Sequence, residues 1–495
     1  MQDKTDGKIK YFGADFTEID RYIGNTVIES KNYSDILTEL KEDILLKFLE
    51  EVKDKIDSIQ INGPNESLYK FIDGGIRFQG LVGVVSYPFR YQIYNNGQIK
   101  NLNLNITIEI HSRFDTDKEG GLSKPYFLAA MLRQSNELKT TGNEIEENPN
   151  DYFFDFLLVF RFASCLKTAY EKGYYRTYQR FEKHDDRLKG AIDIARHIKE
   201  NMDLSNGRIA YSYREKTVNN YFNHLLLETY FFIKDKFNDL FSNILEADEM
   251  ISRMIQQLKS DIDYPLYGIK EVIAKNMSPI SHPFYLEYEE LREVCLKILR
   301  DEGTSVFEGT ESEVEGILYY IPELWEKFLQ LYLEDTEDYY IISQFGLKIF
   351  DFNNDKNFRH NTRPDYVFFA DSTKKNPFMI LDAKFKPAWA VLIKNDEWDK
   401  HLDEDYNKCI RDMNSLNTHY SGIICPSRYE LEENQAFEHS ISRYNMTDKF
   451  YTFPIYVPEV SNNEKYEIWE KKFMESTEGI MEKIKEIIHS KKSGN

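Results

Sequence analysis

The chain has 495 residues, more than one ordinary core organises, so three domains, or two large ones carrying inserts, are expected. Hydrophobic residues make up 41% and aromatics 15%, which excludes a disordered chain, and no window holds the run of roughly 20 apolar residues that a membrane span needs. The formal net charge of −21 argues against attraction of the whole surface to nucleic acid and leaves only a local basic cleft for that purpose.

The N-terminus, MQDKTDGKIKYFGADF, lacks the apolar core of a signal peptide. Cys165, Cys295, Cys409 and Cys425 are scattered without metal-ligand or redox spacing. Both features predict a soluble, cytoplasmic protein with four ordinary thiols.

Residues 1–140 read as a β-rich module. FQGLVGVVSY from Phe78 and LNLNITIEIHSRF from Leu102 have strand-like period and β-branched content, Asn95-Asn96-Gly97 between them is a hairpin turn signal, and PYFLAAMLRQS from Pro125 reads as a closing helix. The acidic, Asn-rich segment TGNEIEENPN marks a boundary at 141–150. From 150 to 300 the pattern is mainly helical, with aromatic-rich apolar faces suited to a bundle core. DEGTSVFEGTESEVEG from Asp301 separates it from a last domain over 316–495.

That domain opens with Ile321-Pro322 and the helix ELWEKFLQLYLED, then three strand candidates, FGLKIF, DYVFFA and PFMILDAKFK. A helix, DEDYNKCIRDMNSLNTHY, the strands GIICP and FPIYVP, and an amphipathic tail helix follow. The expected fold class is multidomain α+β: a β-rich N-terminal module, a central helical region and a C-terminal α/β core.

The chemistry concentrates at Arg363-Pro364-Asp365 and Asp382-Ala383-Lys384. On a strand, Asp382 and Lys384 leave the same face, and an antiparallel or bent hairpin brings Asp365 beside Asp382. Two carboxylates and a backbone carbonyl, here that of Ala383, suit a hard cation such as Mg²⁺, with Mn²⁺ as substitute, and Lys384 would orient a water and stabilise a phosphorane. Glu323 or Glu326 on the preceding helix offers a further acid; both also fit a solvent-side face. A DxK alone also occurs as a surface ion pair, and the combination with RPD at this spacing is what points to nuclease chemistry. Lys356, Arg359, His360, Arg363, Lys374, Lys375, Lys384 and Lys386 crowd the same region.

On these motifs the C-terminal domain resembles a PD-(D/E)xK nuclease, and the whole chain is similar to the McrC-like subunits of GTP-dependent restriction systems, including their LlaJI-like relatives. Trp325-Glu326-Lys327-Phe328 matches the family's helical motif and favours Glu326 over Glu323. Pro364-Asp365 corresponds to its PD and Asp382-Ala383-Lys384 to its DxK. Asn407-Lys408-Cys409 with Arg411-Asp412 resembles its later helix, making Lys408, with Arg363, a candidate phosphate contact. Upstream, Glu182, Arg187-Leu188-Lys189-Gly190, Glu215, Asn219 and Asn220 resemble a family segment and read as capping and turn residues.

The resemblance implies a Mg²⁺-dependent endodeoxyribonuclease subunit acting on double-stranded DNA beside a separate, hexameric McrB-like AAA+ GTPase. The chain has no GxxxxGK[ST] stretch, so it is not expected to bind a nucleotide itself. Two other readings stand beside this one: a non-catalytic activator or scaffold of that motor, and a stand-alone nuclease.

Overall fold

The computed structural model of the protein describes residues 5–64, 67–72, 75–95, 98–115, 123–135, 149–201, 207–237, 241–262, 264–265, 267–300, 314–336, 339–351, 359–386, 388–389, 402–429, 436–443, 446–461 and 464–492. The chain divides into two compact units. One comprises Met1–Glu137, Gly142–Phe154 and Phe307–Asn495, the other Leu138–Thr141 and Asp155–Val306. Most of both expected boundary segments, residues 141–148 and 301–313, lies outside the described residues.

The first unit begins with β1 (Gly7–Ala14), α1 (Ile19–Gly24), β2 (Thr26–Glu29) and α2 (Ser34–Val52). The hairpin of β3 (Tyr69–Ile72) and β4 (Gly75–Phe78) and two long strands, β5 (Leu81–Asn95) and β6 (Gln98–His111), follow. Asn95 pairs with Gln98; Asn96 and Gly97 of the expected turn lie outside the described residues.

Strand alternation puts Val85, Tyr87, Phe89 and Tyr91 on one face opposite Ile108, Ile106, Leu104 and Leu102. α2 covers that face with Ile44, Leu45, Phe48, Leu49 and Val52, all fully buried. Each such side chain contributes roughly 1.5–3 kcal/mol. The sheet order is the strand Glu315–Tyr320, then β5, β6, β1 and β2. At its first edge Gly316 and Gly83 have φ of +150° and +142°, and a Cβ would stand 2.1 Å from the Val84 carbonyl oxygen or 1.9 Å from that of Ile317. Only glycine lets the returning chain pair this closely. α3 (Tyr126–Ser135) follows, its first turn held by Asp115, which accepts the Phe127 N–H at 2.8 Å and the Leu128 N–H at 3.2 Å.

Beyond α4 (Pro149–Tyr170), the second unit contains β7 (Thr177–Asp185), β8 (Ala191–Ile192), α5 (Ile194–Glu200) and β9 (Ile209–Thr217). Its main helices are α6 (Tyr221–Lys236), α7 (Glu249–Asp261), α8 (Ile269–Lys275) and α9 (Glu287–Arg300). Asn220 caps α6 by accepting the Asn223 N–H at 3.1 Å, and Asp248 caps α7 through Met250 and Ile251.

The expected mainly helical region therefore carries a three-stranded antiparallel sheet, ordered β7-β9-β8. β7 alternates half-buried and exposed residues without a fully buried one, so its sequence lacks the apolar signal of a core strand. Glu182 pairs with Arg196 at 2.9 Å and Glu215 with Lys189 at 2.8 Å, both on this sheet.

Returning to the first unit, β10 (Glu315–Tyr320) runs into α10 (Ile321–Gln330). Then come β11 (Tyr340–Ser343), β12 (Leu347–Asp351), β13 (Arg359–Thr362), β14 (Tyr366–Phe369), β15 (Pro377–Ala383) and α11 (Asp403–Leu416). β16 (Tyr420–Ser427), β17 (Phe437–Arg443), β18 (Met446–Tyr456) and α12 (Tyr466–Lys492) complete the chain. The main sheet has the order β11-β14-β15-β16-β18-β17.

β14 and β15 are antiparallel neighbours, whereas β15, β16 and β18 run parallel, with α11 as the crossover between β15 and β16. FGLKIF forms a strand, but among the described residues it pairs with β13 alone, outside this sheet. One sheet face packs Cys409 of α11 with Ile423, Cys425 and Phe450, and Met413 with Val367, Phe369 and Ile380. Elsewhere in the unit, Phe328 of α10 stacks on Phe473 of α12 with ring centroids 5.3 Å apart. Among the described residues no helix is long and apolar enough to cross a membrane.

Candidate functional site

The β14–β15 register pairs Tyr366 with Leu381, so Asp365, just before β14, meets Asp382 near the end of β15. The two acids interlock through backbone as well as proximity. The Asp365 N–H donates to Asp382 Oδ1 at 3.2 Å, and the Ala383 N–H donates to Asp365 Oδ2 at 2.8 Å. Both are buried, at 6% and 3% exposure. Buried polar groups at such a density persist only where partners satisfy them.

Two ammonium groups supply the partners. Lys384 Nζ lies 3.0 Å and Lys408 Nζ 2.6 Å from the same oxygen, Asp382 Oδ2. The Lys384 backbone is fixed by its N–H to the Ile424 carbonyl at 2.9 Å, which continues the parallel pairing of β15 with β16 for one more residue. Lys408 comes from α11, the crossover helix. Its neighbour Cys409 faces the core, leaving Lys408 at the helix edge beside the end of β15.

Glu326 enters from α10. Its Oε2 accepts the Gln344 side-chain N–H at 2.9 Å, and its backbone carbonyl accepts the Tyr366 hydroxyl at 2.7 Å. Gln344, with a left-handed φ of +55°, also donates its backbone N–H to the Asp365 carbonyl at 2.7 Å. It thereby ties Glu326 to Asp365. Sequence reasoning missed this residue, and its only local signal is the turn before Gly346. Glu323 instead pairs with Lys327 at 2.7 Å.

Burial, then the negative charge of Asp365, push the Glu326 carboxyl up to about 7. Burial, then the charge of Asp382, raise Asp365 to about 6. Burial also works to raise Asp382, but Lys384 and Lys408 outweigh it and hold this carboxylate below its usual range. For Lys384, burial opposes the charged form, yet Asp382 and Asp365 more than offset it and the ammonium is stabilised.

The wider basic crowd does not converge here. Lys374 pairs with Asp335 at 2.9 Å and Lys386 with Asp405 at 2.8 Å. Arg363 and Lys375 are exposed. Lys356 and the side chains of Arg359 and His360 lie outside the described residues.

Among the described residues, no group of three or more His, Cys, Asp and Glu side chains is arranged to hold a metal ion. The donors that do assemble are hard carboxylate oxygens, whose burial first and mutual repulsion second raise Glu326 and Asp365. That donor chemistry fits a hard divalent cation, which would relieve the repulsion.

A family model for the McrBC 5-methylcytosine restriction system component matches residues 76–403, which is 328 of the 495 residues. The chain belongs to the McrBC restriction-system family. The matched span of this McrBC family member includes Glu326, Asp365, Asp382 and Lys384 and stops before Lys408. No curated protein matches the chain.

Among solved structures it is similar to a chain of a half-complex from a tetradecameric assembly of Thermococcus gammatolerans McrB AAA+ hexamers with bound McrC. That similarity is at 14% identity and a TM-score of 0.48, covering 96% of this chain and 100% of the other. It is also similar to a chain of the T. gammatolerans McrBC complex, at 14% identity and a TM-score of 0.28, covering 65% and 86%.

Proposed function

We propose that this McrBC family member is the nuclease subunit of its system, a Mg²⁺-dependent endodeoxyribonuclease with a PD-(D/E)xK core. It would work on double-stranded DNA beside a separate hexameric AAA+ GTPase that it stimulates. The observation that carries the reading is the interlocked Asp365–Asp382 pair, with Lys384 on the Asp382 carboxylate and Glu326 tied to Asp365 through Gln344.

Asp365, Asp382 and the Ala383 carbonyl are the residues that would hold Mg²⁺, or Mn²⁺ in its place. When bound, the ion supplies a more acidic water and neutralises charge on the scissile phosphate. Lys384, kept cationic by Asp382 and Asp365, stabilises the extra negative charge of the pentavalent phosphorus at the moment it develops. Glu326 has Oε2 engaged by Gln344, and a carboxyl near 7 takes up or releases a proton at neutral pH. Lys408 and Arg363 are assigned to the phosphate backbone, a sequence-independent contact.

The test is DNA cleavage with Mg²⁺, with and without the GTPase partner and GTP, comparing the native chain with Asp382→Asn. The asparagine keeps an acceptor for the Asp365 N–H and removes the charge. Cleavage lost by at least about 10³-fold, with GTPase stimulation retained, supports the assignment. Equal cleavage by both proteins rejects the site. Absence of cleavage by the native chain, with stimulation intact, favours a scaffold.

A further inference from the structure

From Gly74 to Ile108 the sequence contains no Asp or Glu, in a chain where 84 of 495 residues are acidic. The same stretch holds Arg77, Arg90 and Lys100 and is rich in side-chain amides. It builds the β5–β6 ribbon. Along the distal part of that ribbon, Tyr91, Ile93 and Leu102 face the core, while Arg90, Gln92, Tyr94, Asn101 and Asn103 take the alternate, outer positions. The cross-strand pairs on this outer face are Arg90 with Asn103, Gln92 with Asn101, and Tyr94 with Ile99. Nearer the β10 edge the same face is closed, because Val82, Val84 and Ser86 are buried.

The ribbon is held rigid from behind. Tyr91 donates its hydroxyl to Asp43 of α2, Lys47 stands 4.9 Å over the Tyr91 ring, and Phe48 packs edge-on to Phe89. Tyr94 and Ile99 nevertheless remain 76% and 73% exposed. Along this face the strands contribute amides, an arginine and an open aromatic ring but no carboxylate; Asp6 lies against it, accepting the Asn103 backbone N–H at 3.0 Å. That set of groups matches one kind of partner. Asn and Gln pair with base edges, Arg with guanine or phosphate, and a two-stranded antiparallel ribbon fits the major groove, about 12 Å wide.

We infer that the outer face of the β5–β6 ribbon, at Arg90, Gln92, Tyr94, Asn101 and Asn103, is a DNA-contacting surface separate from the carboxylate site. It takes duplex DNA in its groove. The inference rests on the reading above that DNA is the substrate. It gives a strongly acidic chain a stretch of surface where its own strands carry Arg90 and no acid, so repulsion of phosphate is weaker there than over the chain as a whole.

The experiment is fluorescence anisotropy of a short labelled duplex titrated with the full chain in EDTA, where cleavage cannot intervene. The native protein is compared with the triple substitution Arg90→Ala, Gln92→Ala, Tyr94→Ala and with Gln92→Glu, Asn101→Asp, each checked for an unchanged thermal melt. The inference expects at least tenfold weaker binding by the triple variant and a still larger loss where carboxylates are introduced. It also expects a shallower dependence on salt, by about one charge, when Arg90 is absent.

Binding within twofold of the native chain overturns the inference, as does a native chain that does not bind the duplex. Variants that bind DNA normally but no longer stimulate the GTPase overturn it as well, and reassign the ribbon to protein docking. Unchanged binding with Asp382-dependent cleavage would sink the ribbon alone, whereas ribbon-dependent binding by a chain that never cleaves would sink the nuclease reading alone.

Discussion

Lys408 stands closer to Asp382 than Lys384 does, 2.6 Å against 3.0 Å, and both ammonium groups share the single oxygen Oδ2. Lys408 is the more exposed, 25% against 18%, and it reaches in from a helix rather than from the strand that bears the acid. A divalent cation held at Asp382, as proposed, would therefore compete with Lys408 as well as with Lys384. Removing a charge this near is worth a good fraction of a decade or more in affinity.

Lys408→Met is accordingly expected to bind Mn²⁺ about tenfold more tightly, about 1.4 kcal/mol, in isothermal titration calorimetry without DNA. The same variant should cleave more slowly if Lys408 passes to phosphate when DNA is present. Unchanged Mn²⁺ affinity would show that Lys408 does not compete for the carboxylate.

The raised Asp365 and Glu326 carboxyls give stability a pH signature in metal-free buffer. A carboxyl whose folded value lies above its unfolded value binds more protons when folded, so stability falls as pH rises through the window. For Asp365 that window runs from the ordinary carboxylate range to about 6. Asp365→Asn retains an acceptor for the Ala383 N–H and removes the buried charge. Thermal melts in EDTA should show the variant several degrees more stable than the native chain at pH 8, with the difference vanishing below pH 4. A variant equally or less stable at pH 8 would contradict the burial argument.

Gln344→Leu tests the tie between Glu326 and Asp365. The leucine removes the donor on Glu326 Oε2, and loss of a hydrogen bond to the charged form raises a carboxyl further. The acid limb of the cleavage pH–rate profile should move up by about one unit, with substrate binding unchanged. A uniform loss of rate with the same profile would mark Gln344 as merely structural.

Gly316→Ala tests the edge where β10 closes the N-terminal sheet. An added Cβ would meet the Val84 carbonyl oxygen at 2.1 Å, in a backbone conformation side chains avoid. Destabilisation of roughly 3 kcal/mol is expected, seen in the denaturant midpoint. An unchanged midpoint would mean that the β5–β10 pairing contributes little to the unit.

The sequence by itself determined the two strands at whose ends the candidate acids Asp365 and Asp382 lie. RPD and DAK are short-range patterns, and the period of a strand already puts Asp382 and Lys384 on one face. β5 and β6 were legible from their alternation, and the capping role of Asn220 follows from a residue type that local backbone geometry prefers. The choice of Glu326 over Glu323 rested on resemblance; in the fold Glu323 is held by Lys327, while Glu326 is held by Gln344 beside Asp365.

Only the tertiary structure decided which cations reach the acids. Lys374 and Lys386 belong to the basic run around the acids in sequence and Lys408 does not, yet Asp335 and Asp405 hold the first two elsewhere while a crossover helix delivers Lys408 across 26 residues to Asp382. The sheet β7-β9-β8 escaped notice because its first strand buries no residue fully, and without burial there is no hydrophobic period to read. The joining of β10 to β5 was equally hidden, since it depends on Gly83 pairing with Leu318 and Gly316 with Val85 across more than two hundred residues. Local pattern fixes what a segment can become; pairing and ion contacts between distant segments are settled by packing, where the energy of each contact depends on a partner that the local sequence does not contain.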